Sequence, residues 1–127
     1  MLRVVNETRG TVLAERAAEA DTFTERALGL IGRRGWGATD GLWIEPCAGV
    51  HALGMRFPVD VVLVDGAMTV VAVQTLHPWR IGRPRLDAAA ALEVPVGTVA
   101  ASGTRCGDSL AVERGPGRGE AGPALAR

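Results

Sequence analysis

The chain has 127 residues, 47% of them hydrophobic and 22% charged, with 14 basic and 14 acidic side chains that cancel to a formal net charge of zero. That is one domain's length, with enough apolar content for a packed core, and the balanced charge supplies no global field to recruit nucleic acid or an anionic membrane. Every basic residue is Arg, and there is neither Lys nor Tyr, which excludes Schiff-base chemistry, a Lys base and a Tyr acid.

Seventeen Gly and seven Pro predict many turns and short strands. Leu2 to Val5 and Thr11 to Ala17 read as an opening hairpin around the polar turn Asn6-Glu7-Thr8-Arg9-Gly10. Thr22 and Glu25 form a capping pair, and Phe23, Ala27, Leu30 and Ile31 follow at helical spacing. A short helix is expected there, ended by the glycines from Gly32 to Gly37. Gly41 to Ile44, Val50 to Met55 and Val59 to Val64 read as strands. Asp65-Gly66 is a two-residue hairpin signal, with Met68 to Leu76 as the return strand.

His77 to Leu86, with two Pro and three Arg, reads as an irregular surface loop, and Trp79, Arg80, Arg83 and Arg85 in it as a solvated arginine-bearing surface. Ala88 to Val94 is a further strand. Thr98 to Arg105 reads as a strand or turn carrying Gly103, and Ser109 to Glu113 as the last strand after a Gly107-Asp108 turn. Residues 114–127, rich in Gly and Pro, are expected to be a disordered tail behind a single domain of residues 1–113. Eight or nine short strands and one short N-terminal helix predict a mainly β fold, a β-sandwich or barrel.

The opening MLRVVNETRG has no basic segment followed by an apolar one, so no signal peptide is expected. No apolar run approaches the roughly 20 residues that span a bilayer. The expected location is the cytoplasm, with Cys47 and Cys106 reduced.

Chemistry concentrates between Cys47 and Gly66. Cys47, His51 and Met55 recur every fourth residue and offer thiolate, imidazole and thioether, the ligand types a soft ion such as copper accepts. Arg56 and Asp60 flank Phe57-Pro58, and Asp60 leads into Val61-Val62-Leu63-Val64, apolar on both faces. A carboxylate in such a run needs a partner, and His51 and Arg56 are the nearest in sequence. The three either form an internal structural network or a ligand-facing cluster. Glu93, between Leu92 and Val94, faces solvent if one sheet face is exposed, and is drawn into the polar network if both are covered. Asp108 reads as a turn former whose carboxylate bonds nearby backbone. There is no Gly-x-Ser-x-Gly elbow and no Gly-rich phosphate loop.

The stretches GLWIEPCAGVHALGMRFPVDVVLVDG, VVAV, HPWR, LEVPVGT and SGTRCGDSL together resemble the domain of unknown function 192 family, over about Thr22 to Val112. The resemblance implies a mainly β domain like a jelly roll. It marks His51, Met55, Arg56, Pro58, Asp60, Glu93, Gly97, Gly107 and Asp108 as signature positions, and it implies no reaction, substrate, cofactor or Cys47–Cys106 disulfide.

Taken together, the expectation is a non-enzymatic module that binds a small polar ligand or a protein through His51, Arg56, Asp60 and Glu93. One alternative is a small hydrolase or lyase with His51 as general base, oriented by Asp60. The other is a soft-metal site at Cys47, His51 and Met55. No cofactor, nucleic acid or membrane partner is expected.

Overall fold

Residues 1–20, 40–47, 57–78 and 80–114 are described by the computed structural model of the chain. Seven strands follow in order: β1 (Leu2–Asn6), β2 (Thr11–Ala20), β3 (Gly41–Ile44), β4 (Val59–Val64), β5 (Val70–Leu76), β6 (Ala90–Pro95) and β7 (Leu110–Arg114), with a helix, α1 (Thr98–Ser102), between the last two. They form one sheet in the order β5-β4-β6-β3-β2-β1-β7. All pairings are antiparallel except β2 with β3.

The sheet curls until its two ends meet at one corner. There Thr69 bridges Ser109, and Val70 exchanges backbone hydrogen bonds with Asp108 and Gly107. The result is a mainly β, barrel-like fold, closed at that corner.

Alternation sorts the side chains onto two faces. Leu2, Val4, Leu13, Val62, Val64, Leu92 and Val94 fill the inner face. Leu42, Ile44, Val59, Val61, Leu63 and Ala91 form a second buried cluster on the other. Strands β3, β4 and β6 are therefore buried on both faces, as the apolar Val61–Val64 run requires. Each buried Val or Leu contributes roughly 1.5–3 kcal/mol.

The strand readings at Gly41–Ile44 and Val59–Val64 hold residue for residue, and those near β1, β5, β6 and β7 hold within one or two residues. The two-residue hairpin does not. Asp65 accepts from the Met68 N–H and donates its own N–H to Thr69, and Met68 takes a left-handed φ of 68°, so the loop has three residues, Gly66 to Met68. The Asp65 carboxylate locks it by accepting from the N–H groups of Ala67 and Thr69.

The segment expected to be a strand or turn at Thr98 to Arg105 begins instead as α1, framed by Gly97 and Gly103 in left-handed conformations. The helix expected from Thr22 and the strand expected from Val50 to Met55 lie outside the described residues. So do residues 115–127 of the expected tail, whereas Arg114 belongs to β7 and pairs with Glu19. No helix among the described residues is long and apolar enough to cross a membrane.

Candidate functional site beside Asp60

Asp60 stands on β4 opposite Val94, so its side chain shares the inner face with Val62 and Val94. It is 4% exposed. One carboxylate oxygen accepts from the Thr75 hydroxyl at 2.8 Å. The other accepts from the N–H of Gly97 at 3.0 Å and of Val99 at 3.1 Å. Gly97 has a φ of 99°, a conformation disfavoured for residues with a Cβ; it lets the chain present two N–H groups to one oxygen. Asp60 thus fixes the entry of α1 over the end of the barrel.

The exit of α1 is fixed by a second polar group. Ser102 donates its hydroxyl hydrogen to the Val99 carbonyl at 3.2 Å and lies 2.7 Å from the Thr104 hydroxyl. With that proton committed, Thr104 is the donor of the pair. Thr104 in turn accepts from the Asn6 amide at 3.0 Å, and the same amide donates to Asp108 at 2.9 Å. Arg9 clamps Asp108 with two guanidinium contacts of 3.0 and 3.1 Å, and the Arg105 N–H adds a fourth donor.

Arg9 foremost, then Asn6, holds the Asp108 carboxyl well below the usual carboxylate range. Asn6, Ser102, Thr104 and Asp108 are all buried. A line of contacts therefore runs from Arg9 through Asp108, Asn6, Thr104 and Ser102 to the Val99 carbonyl, and from the Val99 N–H to Asp60. The local-backbone role expected for Asp108 is present, in its bond from Arg105, and is the smaller part of what it does.

An open cleft of about 580 Å³ lies between β5 and α1. Asp60 and Thr75 lie along it, Val96, Gly97 and Ala100 line the helix side, and Arg105 stands where the chain leaves α1. The opening exists because the inner face of β5 is uncovered at this end: Val73 and Thr75 are exposed while Leu76 is buried.

Glu93 does not share this site. It pairs with Leu42 and Val61 across the sheet, which puts it on the face opposite Asp60, 5% exposed and engaged in an interaction of its own. The register therefore excludes one cleft lined by both carboxylates. Its burial follows from both faces being covered, the second of the two conditions the sequence posed.

Cys47 packs on Glu93's face among Leu42, Val61 and Leu63. Its backbone N–H bonds the Ala89 carbonyl at 3.0 Å. Both cysteines are thiols, Cys47 buried and Cys106 exposed. His51, Met55 and Arg56 lie outside the described residues, and no group of three or more His, Cys, Asp or Glu side chains that could hold a metal ion is found among the described ones.

Sequence reasoning missed Asn6, Thr75, Ser102 and Thr104. Asn6 carried a signal: it continues the Leu2-Val4 inward parity, so an amide there points into the core and needs partners. Thr75, Ser102 and Thr104 carried none, since their importance depends on what the fold brings beside them.

Comparison with known proteins agrees with this architecture. A solved structure of a protein of unknown function from Novosphingobium aromaticivorans superposes with a TM-score of 0.71 at 22% identity, over 87% of this chain and 82% of that one. UPF0127 proteins of Pyrococcus abyssi and Pyrococcus horikoshii are 34% and 32% identical over 99 and 112 residues. These alignments span 74% and 84% of this chain, and 83% and 96% of theirs. The family model for domain of unknown function 192, described as an uncharacterised ACR, matches residues 4–112. With that model matching most of the chain and relatives above 30% identity aligned over most of their length, the chain belongs to the domain of unknown function 192 family.

Proposed function

We propose that the protein is a non-enzymatic binding module, taking a small polar ligand or a protein segment in the cleft between β5 and α1. The observation that carries this reading is the state of Asp60 beside that cleft. Both of its oxygens already accept hydrogen bonds, from Thr75, Gly97 and Val99. A carboxylate so engaged holds rigid the walls of an accessible hollow. Polar groups that shape a largely apolar cavity suit recognition. Asp60, and not Glu93, is the carboxylate of this site; His51 and Arg56, the other members of the sequence cluster, are tested through their own variants.

The test is a thermal-shift screen of the intact chain against organic anions, sugars and short peptides, run in parallel on Ala100→Phe. Ala100 is exposed on α1 and lines the cleft, so the larger ring fills the space. A ligand at a hundred times its Kd adds about 2.7 kcal/mol of stability, a readily measured shift. Hits that stabilise the native chain and lose their effect in Ala100→Phe support the reading. Hits that stabilise both proteins equally, or a screen without hits, overturn it. Hits that also vanish in His51→Ala or Arg56→Ala extend the site to those residues.

A further inference from the structure

Among the described residues the cleft lies along an unpaired stretch of sheet edge, and its chemistry identifies the partner. Strand β5 is terminal in the sheet. The Val64 carbonyl bonds toward β6, to Ala89, so even-numbered β4 residues direct their backbone groups to β6 and odd-numbered ones to β5. Their β5 partners are Ala72, Gln74 and Leu76. Val73 and Thr75 consequently turn their N–H and C=O groups outward, away from β4.

The edge before them is already capped. Val70 bonds Asp108 and Gly107, and the Val71 carbonyl accepts from Arg85. Among the described residues no backbone hydrogen bond is found for the outward groups of Val73 and Thr75. Two hollows adjoin this stretch, the cleft of about 580 Å³ and a second of about 450 Å³ lined by Ile81, Arg83 and Arg85. Val73, Gln74 and Thr75 line both.

Charge singles out the occupant. Arg3, Arg9, Arg85 and Arg114 are paired with carboxylates. Arg83 and Arg105 are exposed, and among the described residues neither has an ion-pair partner. One stands in each hollow flanking the open edge. Asp60 adds no accessible negative charge, being buried and bonded to three donors.

We infer that the edge of β5 at Val73–Thr75 receives an extended acidic peptide segment of a partner protein, which adds a strand to the sheet. Its backbone pairs with Val73 and Thr75, an apolar side chain packs over Val73, and its carboxylates meet Arg83 and Arg105. Strand addition draws affinity from main-chain hydrogen bonds and specificity from alternate side chains, and it removes the exposed edge that a sheet otherwise has to protect. The inference rests on the cleft being a binding site and names what it binds.

The experiment is an amide chemical-shift titration of the full chain with three capped hexapeptides. One alternates glutamate and valine, one alternates lysine and valine, and one is the glutamate peptide with alternate amides N-methylated. The glutamate peptide is expected to shift Val73 and Thr75 most and to bind at least tenfold more tightly than the other two. In an R83E/R105E variant the preference should invert toward the lysine peptide. Equal binding of all three peptides, shifts centred elsewhere, or no binding at millimolar peptide overturns the inference. So does concentration-dependent dimerisation through this edge, which assigns it to a second copy of the chain. If small-ligand hits sensitive to Ala100→Phe are found while the peptides fail, the peptide inference falls and the binding reading stands.

Discussion

Replacing Asp60 separates a structural clamp from an ordinary buried polar residue. In Asp60→Ala the Val99 and Gly97 N–H groups and the Thr75 hydroxyl all lose their acceptor. A hydrogen bond to a charged group is worth about 1.5–3 kcal/mol. Gly97 and Thr75 are exposed and recover part of their loss to water, whereas Val99 is only partly accessible. One full bond and two partial ones give a loss of about 3–4 kcal/mol. Asp60→Asn behaves differently. Its amide oxygen still accepts from both N–H groups, and its NH2 donates to the Thr75 hydroxyl once that hydroxyl rotates. Only the charge assistance disappears, about 1–2 kcal/mol. Urea unfolding followed by the fluorescence of buried Trp43 measures both variants, provided the slope with denaturant stays at the native value. The reasoning is refuted if Asp60→Ala lies within about 1 kcal/mol of the native chain, or if the two variants are equally destabilised.

Asp108 predicts a pH dependence. Its carboxyl is held below its unfolded-chain value of about 3.9, so its contribution is complete above that value and drains away as pH falls through the lower folded-state value. The stability gap between the native chain and Asp108→Asn should be constant from pH 6 to 5 and shrink toward pH 3; a gap unchanged at pH 3 contradicts the network. Gly97→Ala should cost about 1–2 kcal/mol through backbone strain alone, since a Cβ there meets nothing within 4 Å; urea midpoints check it, and an unchanged midpoint removes the strain argument. Leu92→Ala, at a fully buried position, should lose about 2–5 kcal/mol, measured the same way.

How much of this could be read from residues alone varies by segment. Val59–Val64 was legible because every position but Asp60 is a branched aliphatic and Val61–Val64 is apolar on both faces, which a strand covered on both faces explains at that length. Gly41–Ile44 was legible for the same reason, bounded by Gly and Glu-Pro. Strand β6 was legible as a strand, and its burial on both faces from Ala90 to Val94 decided that Glu93 is buried.

The hairpin after β4 was visible in Asp65-Gly66, but its length was not. Met68 carries the left-handed conformation, and no propensity marks a methionine for that. Helix α1 was hidden because Thr98-Val99 is β-prone. The segment is helical under tertiary constraint: Asp60 takes the N–H groups at its start, and Ser102 and Thr104 tie its end to Asn6.

The candidate site was legible in part. Asp60 was singled out because a carboxylate leading an apolar run needs donors, and it has three. Their identity was not legible, since two are backbone N–H groups 37 and 39 residues away and the third is a threonine on the neighbouring strand. Register separates Glu93 from Asp60 in a way the sequence did not mark: the facing pairs are Asp60 with Val94 and Val61 with Glu93, and a shift of one residue changes the face.

That two-faced geometry supplies the most direct test of where binding occurs. The decisive measurement is amide chemical-shift mapping of the best ligand from the thermal screen on the intact native chain. The cleft reading predicts perturbations clustered at Thr75, Val96, Gly97, Ala100 and Arg105, with Leu42, Val61 and Ala91 unmoved. Perturbations clustered on Leu42, Val61, Ala91 and Glu93 would place the site on the opposite face of the sheet and contradict it.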